Sequence, residues 1–272
     1  MKKALLVGIN KYKPELHADL QGCVNDVENM RDILINLYGF NPDNIRVIID
    51  DRATRKAIIE RLEWLVNGSC CCDELVFHYS GHGSQIRDRH NDELNDDMDE
   101  IICPYDLDWD NPLTDDIIGS ILNQTVSGAN LTMICDSCHS GTMTRGVGCE
   151  VASSIFYSKP RYIMPPYDIR CRTLNRRVDK QTIRQFVTGE NQPHVLFSAC
   201  RDDQTAADAN INYKPQGAFT WALSSVIKEN PNITYREAHI KVLEKLDKKY
   251  DQKPQLSGNK ALLDRIMFGG TA

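Results

Sequence analysis

Short runs of apolar residues alternate along the chain with segments in which apolar residues recur every three or four positions. The runs are typical of buried strands, and the recurring positions are typical of helices with one apolar face. The pattern predicts strands over 4–9, 45–49, 74–79, 131–135 and 194–199, with a last extended segment near 255–257. It predicts helices over 24–37, 54–66, 219–227 and 235–250. This alternation predicts an α/β fold with a mostly parallel sheet covered on both faces.

Two stretches interrupt the regular pattern. Residues 88–116 contain twelve acidic side chains and one basic side chain, Arg89. Residues 141–190 show little apolar periodicity and contain several prolines and many arginines. The block that follows has too few strands to form a sheet of its own, so the second stretch is interpreted as a linker inserted within a single domain.

Composition excludes several classes of protein. The 32 basic and 38 acidic residues give a net charge of −6, and because no long basic stretch offsets it, nucleic acid is not expected as a partner. The apolar runs are too short to span a membrane. The N-terminus turns polar at Asn10 before the apolar core of a signal peptide could form. A cytoplasmic location is therefore expected, where most of the ten cysteines would be small buried hydrophobic residues.

Reactive side chains follow two of the predicted strands. The third strand continues into Ser80-Gly81-His82-Gly83, and the fourth continues into Asp136-Ser137-Cys138-His139-Ser140-Gly141. Ligands of open parallel sheets bind beyond the carboxyl ends of the strands. A thiolate is a strong nucleophile, and a nearby imidazole can act as its base and as the acid for the leaving group. The sequence therefore predicts catalysis by Cys138 and His82.

The segment Cys135-Asp136-Ser137-Cys138-His139 also matches the C-x-x-C-H pattern of covalent haem attachment and half of a zinc site. Haem attachment requires export, for which no signal is recognised, and Cys135 completes an apolar run that predicts a core position. No second metal-binding pair accompanies the motif, and Cys70-Cys71-Cys72 is too crowded for one tetrahedral site. Neither haem nor zinc is expected.

Taken together, these motifs resemble those of the metacaspases, which are caspase-like cysteine peptidases, and the likeness is to the type I and prokaryotic members. The resemblance runs from Ala4 to about Ser257, and it includes Gly22-Cys23-Val24-Asn25-Asp26, Phe77–Gln85, Asp136–Gly141 and Ser198–Asp208. The caspase pentapeptide Q-A-C-x-G is absent. Asp136-Ser137-Cys138-His139-Ser140 stands in its place, which favours a metacaspase over a true caspase.

The resemblance implies a caspase-like three-layer sandwich whose mostly parallel central sheet has six or more strands. It divides the chain into a large segment (1–145), a linker (146–190) and a small segment (191–272), which together form one domain. It implies that Cys138 attacks the scissile carbonyl and that His82 protonates the leaving amine. The backbone N–H groups of Gly83 and Cys138 would hold the oxyanion. A monomer is expected.

The family's specificity implies protein or peptide substrates with Arg or Lys before the scissile bond. The positions that match the family's pocket are Cys23, Asp26, Ser80 and Asp136. Asp136 lies two residues before Cys138, on the same side of the chain, and carboxylates pair well with a guanidinium. The alternative for Asp26 is an ordinary acid at a helix start, stabilised by the helix dipole.

The acidic stretch has two interpretations, a solvated loop or a calcium site built from carboxylates of separate loops. In metacaspases that calcium activates, the matching positions are Asp99, Asp115 and Asp116. Some members add a carboxylate shortly after the nucleophile, where this chain has Arg145, so calcium dependence stays open.

Self-cleavage in the linker is a further expectation, because an Arg-specific peptidase could cut its own basic residues. The sequence does not identify the bond, and a basic surface loop or a flap over the cleft is the alternative. The basic residues of 141–190 include Arg145, Lys159, Arg161, Arg170, Arg172, Arg176, Arg177 and Lys180.

The sequence is also compatible with two other functions. One is a catalytically silent, caspase-like interaction domain, and the other is an Asp-specific caspase-like peptidase. The presence of both Cys138 and His82 disfavours the first, and the acidic pocket positions disfavour the second.

Overall fold

A six-stranded sheet forms the centre of the molecule. The structure, a computed structural model, describes residues 1–87, 98–138, 158–170, 194–201, 204–247 and 249–270. The strands of this sheet are β1 (Lys2–Gly8), β2 (Ile45–Ile49), β3 (Glu74–Ser80), β7 (Asn130–Asp136), β9 (Val195–Ser198) and β12 (Gln255–Ser257). The sheet has the order β12-β9-β7-β3-β1-β2, and only β12 runs antiparallel to its neighbour.

Helices cover both faces of this sheet. In β1, Ala4 and Leu6 belong to one apolar cluster and Leu5 and Val7 to the other, as expected for a strand buried on both sides. The helices are α1 (Cys23–Asn36), α2 (Arg55–Val66), α3 (Asp115–Leu122), α4 (Tyr167–Arg170), α5 (Ala218–Glu229), α6 (Tyr235–Leu246) and α7 (Lys260–Leu263). Helices α1, α5 and α6 contribute to the first cluster, and α2 and α3 contribute to the second. The predicted three-layer α/β sandwich is confirmed.

The predicted strands and helices agree with the structure to within a few residues, with one larger difference. The helix predicted over 235–250 ends at Leu246, because Asp247 leaves the helical region with φ −52° and ψ 138°. Its start is fixed by a capping box between Thr234 and Glu237. Thr54 caps α2 as the sequence predicts, since its side chain accepts a hydrogen bond from the Ala57 N–H.

Two small sheets lie outside the predicted pattern. One contains β4 (Gly83–Arg87), β5 (Met98–Ile102) and β6 (Leu113–Thr114), and the other contains β8 (Ser158–Pro160), β10 (Ala207–Ile211) and β11 (Lys214–Gly217). β10 and β11 form a hairpin whose turn residues, Asn212 and Tyr213, both have positive φ. This is the geometry of a tight two-residue hairpin.

The order of strands in the sheet brings the segments of His82 and Cys138 together. β3 and β7 are parallel neighbours whose last paired residues are Ser80 and Asp136, so the chain segments that carry His82 and Cys138 leave the sheet side by side. β9, which follows the predicted linker, pairs with β7 in the same sheet. No helix among the described residues is both long enough and apolar enough to cross a membrane.

Candidate active site

One peptide carbonyl lies between the two predicted catalytic loops. The carbonyl oxygen of Arg161 accepts hydrogen bonds from the backbone N–H of Gly83 at 3.0 Å and from that of Cys138 at 3.2 Å. The N–H of Arg161 donates to the carbonyl of Ala206 at 3.0 Å. The two N–H groups predicted to hold an oxyanion therefore already hold a carbonyl oxygen of the chain itself.

The guanidinium of the same residue fills a pocket of acids. Arg161 Nη2 lies 2.8 Å from Asp26 Oδ2 and 2.9 Å from Asp208 Oδ1. Arg161 Nη1 donates to Ser80 Oγ at 2.8 Å and to the backbone carbonyl of Asp136 at 3.1 Å, and it lies 3.2 Å from Asp136 Oδ1. The side chain is fully buried. The structure thus brings Asp26, Ser80 and Asp136 together around one arginine.

Backbone donors hold two of these carboxylates in place. Asp26 accepts from the Gly217 N–H at 3.0 and 3.1 Å, and Asp136 accepts from the N–H and the hydroxyl of Thr220 at 2.9 and 2.7 Å. Thr220 lies in the first turn of α5, where the helix dipole favours an anion. Burial raises the pKa of both carboxyls, and the positive charge of Arg161 opposes the rise. Their charge is therefore maintained by the bound cation and by these donors.

Cys23, the fourth predicted pocket residue, is buried at the start of α1. Its N–H donates to Asn10 Oδ1 at 2.8 Å. Burial raises the pKa of its thiol, and the nearby Arg161 charge opposes that rise. Cys23 is thus a neutral wall of the pocket.

His82 has the protonation pattern that a base needs. Its Nε2 lies 2.6 Å from the carbonyl oxygen of Ala18, and since a carbonyl can only accept, Nε2 carries the proton. Its Nδ1 is buried and has no hydrogen-bond partner among the described residues. Burial lowers the pKa of His82 to about 4, so the ring is neutral near pH 7 and Nδ1 holds a free lone pair.

Tyrosines fix the backbone of the histidine loop. The His82 N–H donates to the Tyr12 hydroxyl at 2.8 Å, and the two rings lie 5.0 Å apart. The Tyr79 hydroxyl lies 2.6 Å from the carbonyl oxygen of His82. A Cβ at Gly81 would lie 2.6 Å from the Tyr79 hydroxyl, so the close packing of this loop requires glycine there.

Buried neutral histidines predict acid instability. Burial lowers the pKa of His78 and of His194 to about 4, as it does for His82. Because the unfolded chain binds these protons near pH 6.5, stability is full above pH 6.5 and decreases as the pH falls toward 4. Each histidine should contribute about 1.4 kcal/mol per pH unit within this window. Urea unfolding of a Cys138→Ala variant should show this slope, and adding His78→Leu should make it shallower.

Two results would contradict this predicted loss of stability at low pH. An unfolding free energy that stays constant between pH 6.5 and 5, or a slope that His78→Leu leaves unchanged, would show that these rings are protonated in the folded state. Above pH 7 the slopes of the two proteins should agree.

The segment around Arg161 binds across the site as an extended strand. β8 pairs antiparallel with β10, in the register Lys159 with Asp208. On the other side of Arg161, the Ile163 N–H donates to the Gly83 carbonyl at 3.0 Å, and Ser84 Oγ donates to the Ile163 carbonyl at 2.6 Å. Main-chain hydrogen bonds on both sides of one residue are the usual way in which an extended peptide adds to a sheet edge.

Sequence reasoning missed three residues of this site. Arg161 is one of many basic residues in 141–190, and nothing in the local sequence distinguishes it from the others. Asp208 lies within the segment Ser198–Asp208 that resembles the metacaspases, but its alanine neighbours gave no sign of a pocket position. Thr220 lies within the segment Gly217–Thr220, which also resembles the metacaspases, but its contact with Asp136 depends on the strand end that faces it.

Cys138 and two other cysteines of the motifs are buried. Cys138 Sγ accepts from the Ala206 N–H and lies 3.4 Å from the Ala206 carbonyl oxygen. Cys200 Sγ lies 3.8 Å from the carbonyl oxygen of Ser137. Cys135 is buried in the second apolar cluster, as its place in an apolar run predicts.

The predicted calcium residues are not among the carboxylates that bind Arg161. Asp99 is buried on β5, and Asp115 and Asp116 begin α3 directly after β6. Ile101 pairs with Thr114, so the three carboxylates lie near one end of the same small sheet. Within the described ranges, no three His, Cys, Asp or Glu side chains are grouped closely enough to hold a metal ion.

Several residues of the sequence-based predictions lie outside the described residues. They are His139, Ser140 and Gly141 of the nucleophile motif, Arg145, and the linker bases Arg172, Arg176, Arg177 and Lys180.

A cysteine and a histidine follow adjacent parallel strands, and two N–H groups converge on the carbonyl of a bound arginine. These features, on a three-layer α/β sandwich, define a cysteine endopeptidase of the caspase-like class. Comparison with known proteins agrees. Residues 2–145 match the family model described as "Metacaspase, peptidase C14 domain". The chain belongs to the metacaspase family.

Relatives and a solved structure extend the match over the whole chain. Metacaspase-1B of Neurospora crassa is 32% identical, over 98% of this chain and 68% of the relative. Metacaspase-1 of Meyerozyma guilliermondii is 33% identical, over 95% of this chain and 69% of the relative. The crystal structure of protein GSU0716 from Geobacter sulfurreducens superposes with a TM-score of 0.70, at 24% identity, covering 100% of this chain and 99% of that chain. This structural match shows that the fold is shared.

Proposed function

We propose that the protein cleaves peptide bonds after Arg or Lys, with Cys138 as the nucleophile and His82 as its base. The observation that carries this proposal is Arg161. Its guanidinium is bound by the carboxylates of Asp26, Asp136 and Asp208, while its carbonyl oxygen is bound by two backbone N–H groups. A substrate arginine in the same position would present its carbonyl carbon to the catalytic groups.

The proposed reaction is an acyl transfer. His82 Nδ1 takes the thiol proton of Cys138, and the sulfur attacks the carbonyl carbon while the carbonyl electrons move onto oxygen. The N–H groups of Gly83 and Cys138 stabilise that oxyanion. The C–N bond then breaks, His82 gives its proton to the leaving amine, and a thioester remains. Water, deprotonated by His82, attacks the thioester and releases the new carboxyl terminus and the thiol.

Reporter peptides test this specificity. The tetrapeptide Ser-Lys-Pro-Arg, which copies residues 158–161, should release a C-terminal fluorophore, and so should its Lys-terminated version. The Asp-terminated version should be cut at least about 100-fold more slowly, because three carboxylates repel its side chain. Cleavage after Asp at an equal rate would contradict the proposal. Hydrolysis of none of the three would favour a silent interaction domain.

Self-processing in the linker forms a second part of the proposal. We place the cut between Arg161 and Tyr162, because Arg161 alone among the described linker bases is bound in the pocket with its carbonyl between the two N–H groups. Arg170, also described, lies in α4. As long as the segment is seated, it excludes any other substrate, so cleavage would open the site.

Calcium activation is proposed from family membership, with Asp99, Asp115 and Asp116 as the carboxylates involved. Oxygen donors of this kind suit calcium, but the described residues do not complete a site, and no catalytic step is assigned to the ion. The reporter assay is therefore run with calcium and with a chelator, and calcium activation predicts a higher rate with calcium. A cytoplasmic location and a monomeric active unit are likewise proposals.

A further inference from the structure

We infer that Asp208 makes the pocket select arginine over lysine. This inference rests on the proposed function and concerns a residue outside the four predicted pocket positions. Asp208 lies on β10, in the part of the chain that follows the linker, whereas Asp26 and Asp136 precede it. The pocket is therefore formed by three carboxylates from three separate elements.

The two terminal nitrogens of the guanidinium have different partners. Nη2 lies between Asp26 Oδ2 at 2.8 Å and Asp208 Oδ1 at 2.9 Å. Nη1 contacts Ser80 and Asp136. A guanidinium is a rigid planar fork that can serve both groups at once, whereas the ammonium of lysine is a single point charge. A lysine ammonium can therefore contact either the Asp26 and Asp208 carboxylates or the Ser80 and Asp136 acceptors. The other pair would be left without a cationic partner.

Asp208 is held rigidly in its position. Its Oδ2 accepts from the Gln21 N–H at 2.8 Å, and its Oδ1 accepts from the Gly22 N–H at 3.0 Å. Gln21 and Gly22 directly precede α1, so the donors lie at the positive end of the helix dipole. Only 4% of Asp208 is exposed. The carboxylate of Asp208 cannot move toward a shorter lysine side chain. It therefore attracts an arginine guanidinium, which reaches it, more strongly than a lysine ammonium.

A variant that removes the charge of Asp208 should weaken the binding of a substrate arginine more than that of a substrate lysine. Without the carboxylate, Nη2 would retain Asp26 as its only anionic partner, while the Ser80 and Asp136 acceptors would be unchanged. Hydrogen bonds to charged groups are strong enough that loss of one lowers binding by about ten- to hundredfold. A substrate lysine that uses the unchanged acceptors should lose much less.

The test measures kcat/KM for the Arg- and Lys-terminated reporters with wild type and Asp208→Asn. Wild type should favour arginine by about tenfold or more, and the variant should lose about ten- to hundredfold on arginine, so that the Arg/Lys ratio falls. The ratio is insensitive to a misfolded fraction, because such a fraction lowers both rates equally. Glu74→Gln, which removes a buried acid outside the pocket, should leave the ratio unchanged.

The outcomes separate this inference from the proposed function. Equal loss on both substrates, or an unchanged ratio, would overturn the role of Asp208 while cleavage after basic residues stands. No hydrolysis of either reporter by wild type would refute the function itself. Should Asp208→Asn not fold, Asp208→Glu keeps the charge but displaces it by one methylene, and it should lower the same ratio. An unchanged ratio in that variant would equally overturn the inference.

Discussion

Cys138→Ala is expected to lower kcat/KM for the Arg-terminated reporter by roughly 10⁴-fold or more. Without the sulfur there is no atom to form the thioester, and the two oxyanion donors alone leave a small residual rate. The same change should abolish any cut in the linker. Steady-state kinetics and the intact mass of the purified chain measure both effects.

His82→Ala tests the proposed base in the same assay, and Cys135→Ala is the matched control for Cys138→Ala. Loss of a general base typically costs 10²- to 10⁴-fold, so His82→Ala should fall in that range. Cys135 is a core cysteine three residues away in sequence, and its replacement should leave kcat within a few-fold of wild type. Full activity in Cys138→Ala would refute the nucleophile assignment, and a rate equal to wild type in His82→Ala would refute the base.

Replacing Arg161 by methionine is the second change with a large expected effect. In a Cys138→Ala background, where no cut can occur, the variant leaves three buried carboxylates without their cation. Removing one partner of a buried ion pair typically costs 3–5 kcal/mol, and about 3 kcal/mol is expected here because water can enter the vacated pocket. Urea unfolding measures this loss, and millimolar agmatine, a small guanidinium compound, should restore part of it.

Arg161→Lys is the matched control, since it keeps the charge and should lose less stability. With Cys138 intact, the mass spectrum should show fragments 1–161 and 162–272 for wild type, a slower cut in Arg161→Lys, and no cut at this bond in Arg161→Met. Unchanged stability in Arg161→Met would mean that the carboxylates do not depend on this cation. Cleavage of Arg161→Met at another bond would show that the processing site is not the bond between Arg161 and Tyr162.

Much of the fold could be predicted because its central strands are buried on both faces. Strands such as β1 and β7 must be apolar throughout, and that requirement is visible in the sequence. β8 could not be predicted, because its residues Ser158–Pro160 have no apolar pattern and become a strand only through main-chain pairing with β10. The β10–β11 hairpin could not be predicted for a similar reason, since its strands are short and rich in small and polar residues.

The candidate site likewise contains some residues that the sequence predicts and others that depend on tertiary contacts. His82, Cys138, Asp26 and Asp136 belong to motifs that can be read from the sequence, whatever their partners are. Arg161 and its contacts depend on where a linker crosses the sheet, which is a tertiary property. Distant contacts also decide protonation, since the proton on His82 Nε2 is inferred from the carbonyl of Ala18, 64 residues away.

The order of strands in the central sheet decides what a cut in the linker would leave behind. β9 lies between β7 and β12, and β10 supplies Asp208 to the pocket, so both fragments would contribute to one sheet and one pocket. Cleavage would convert part of the folding stability into an association equilibrium between two chains, subject to mass action. The interface would be a former protein core, of the apolar kind found in permanent complexes. The selectivity of such an enzyme would then belong to the heterodimer, and neither fragment would carry it alone.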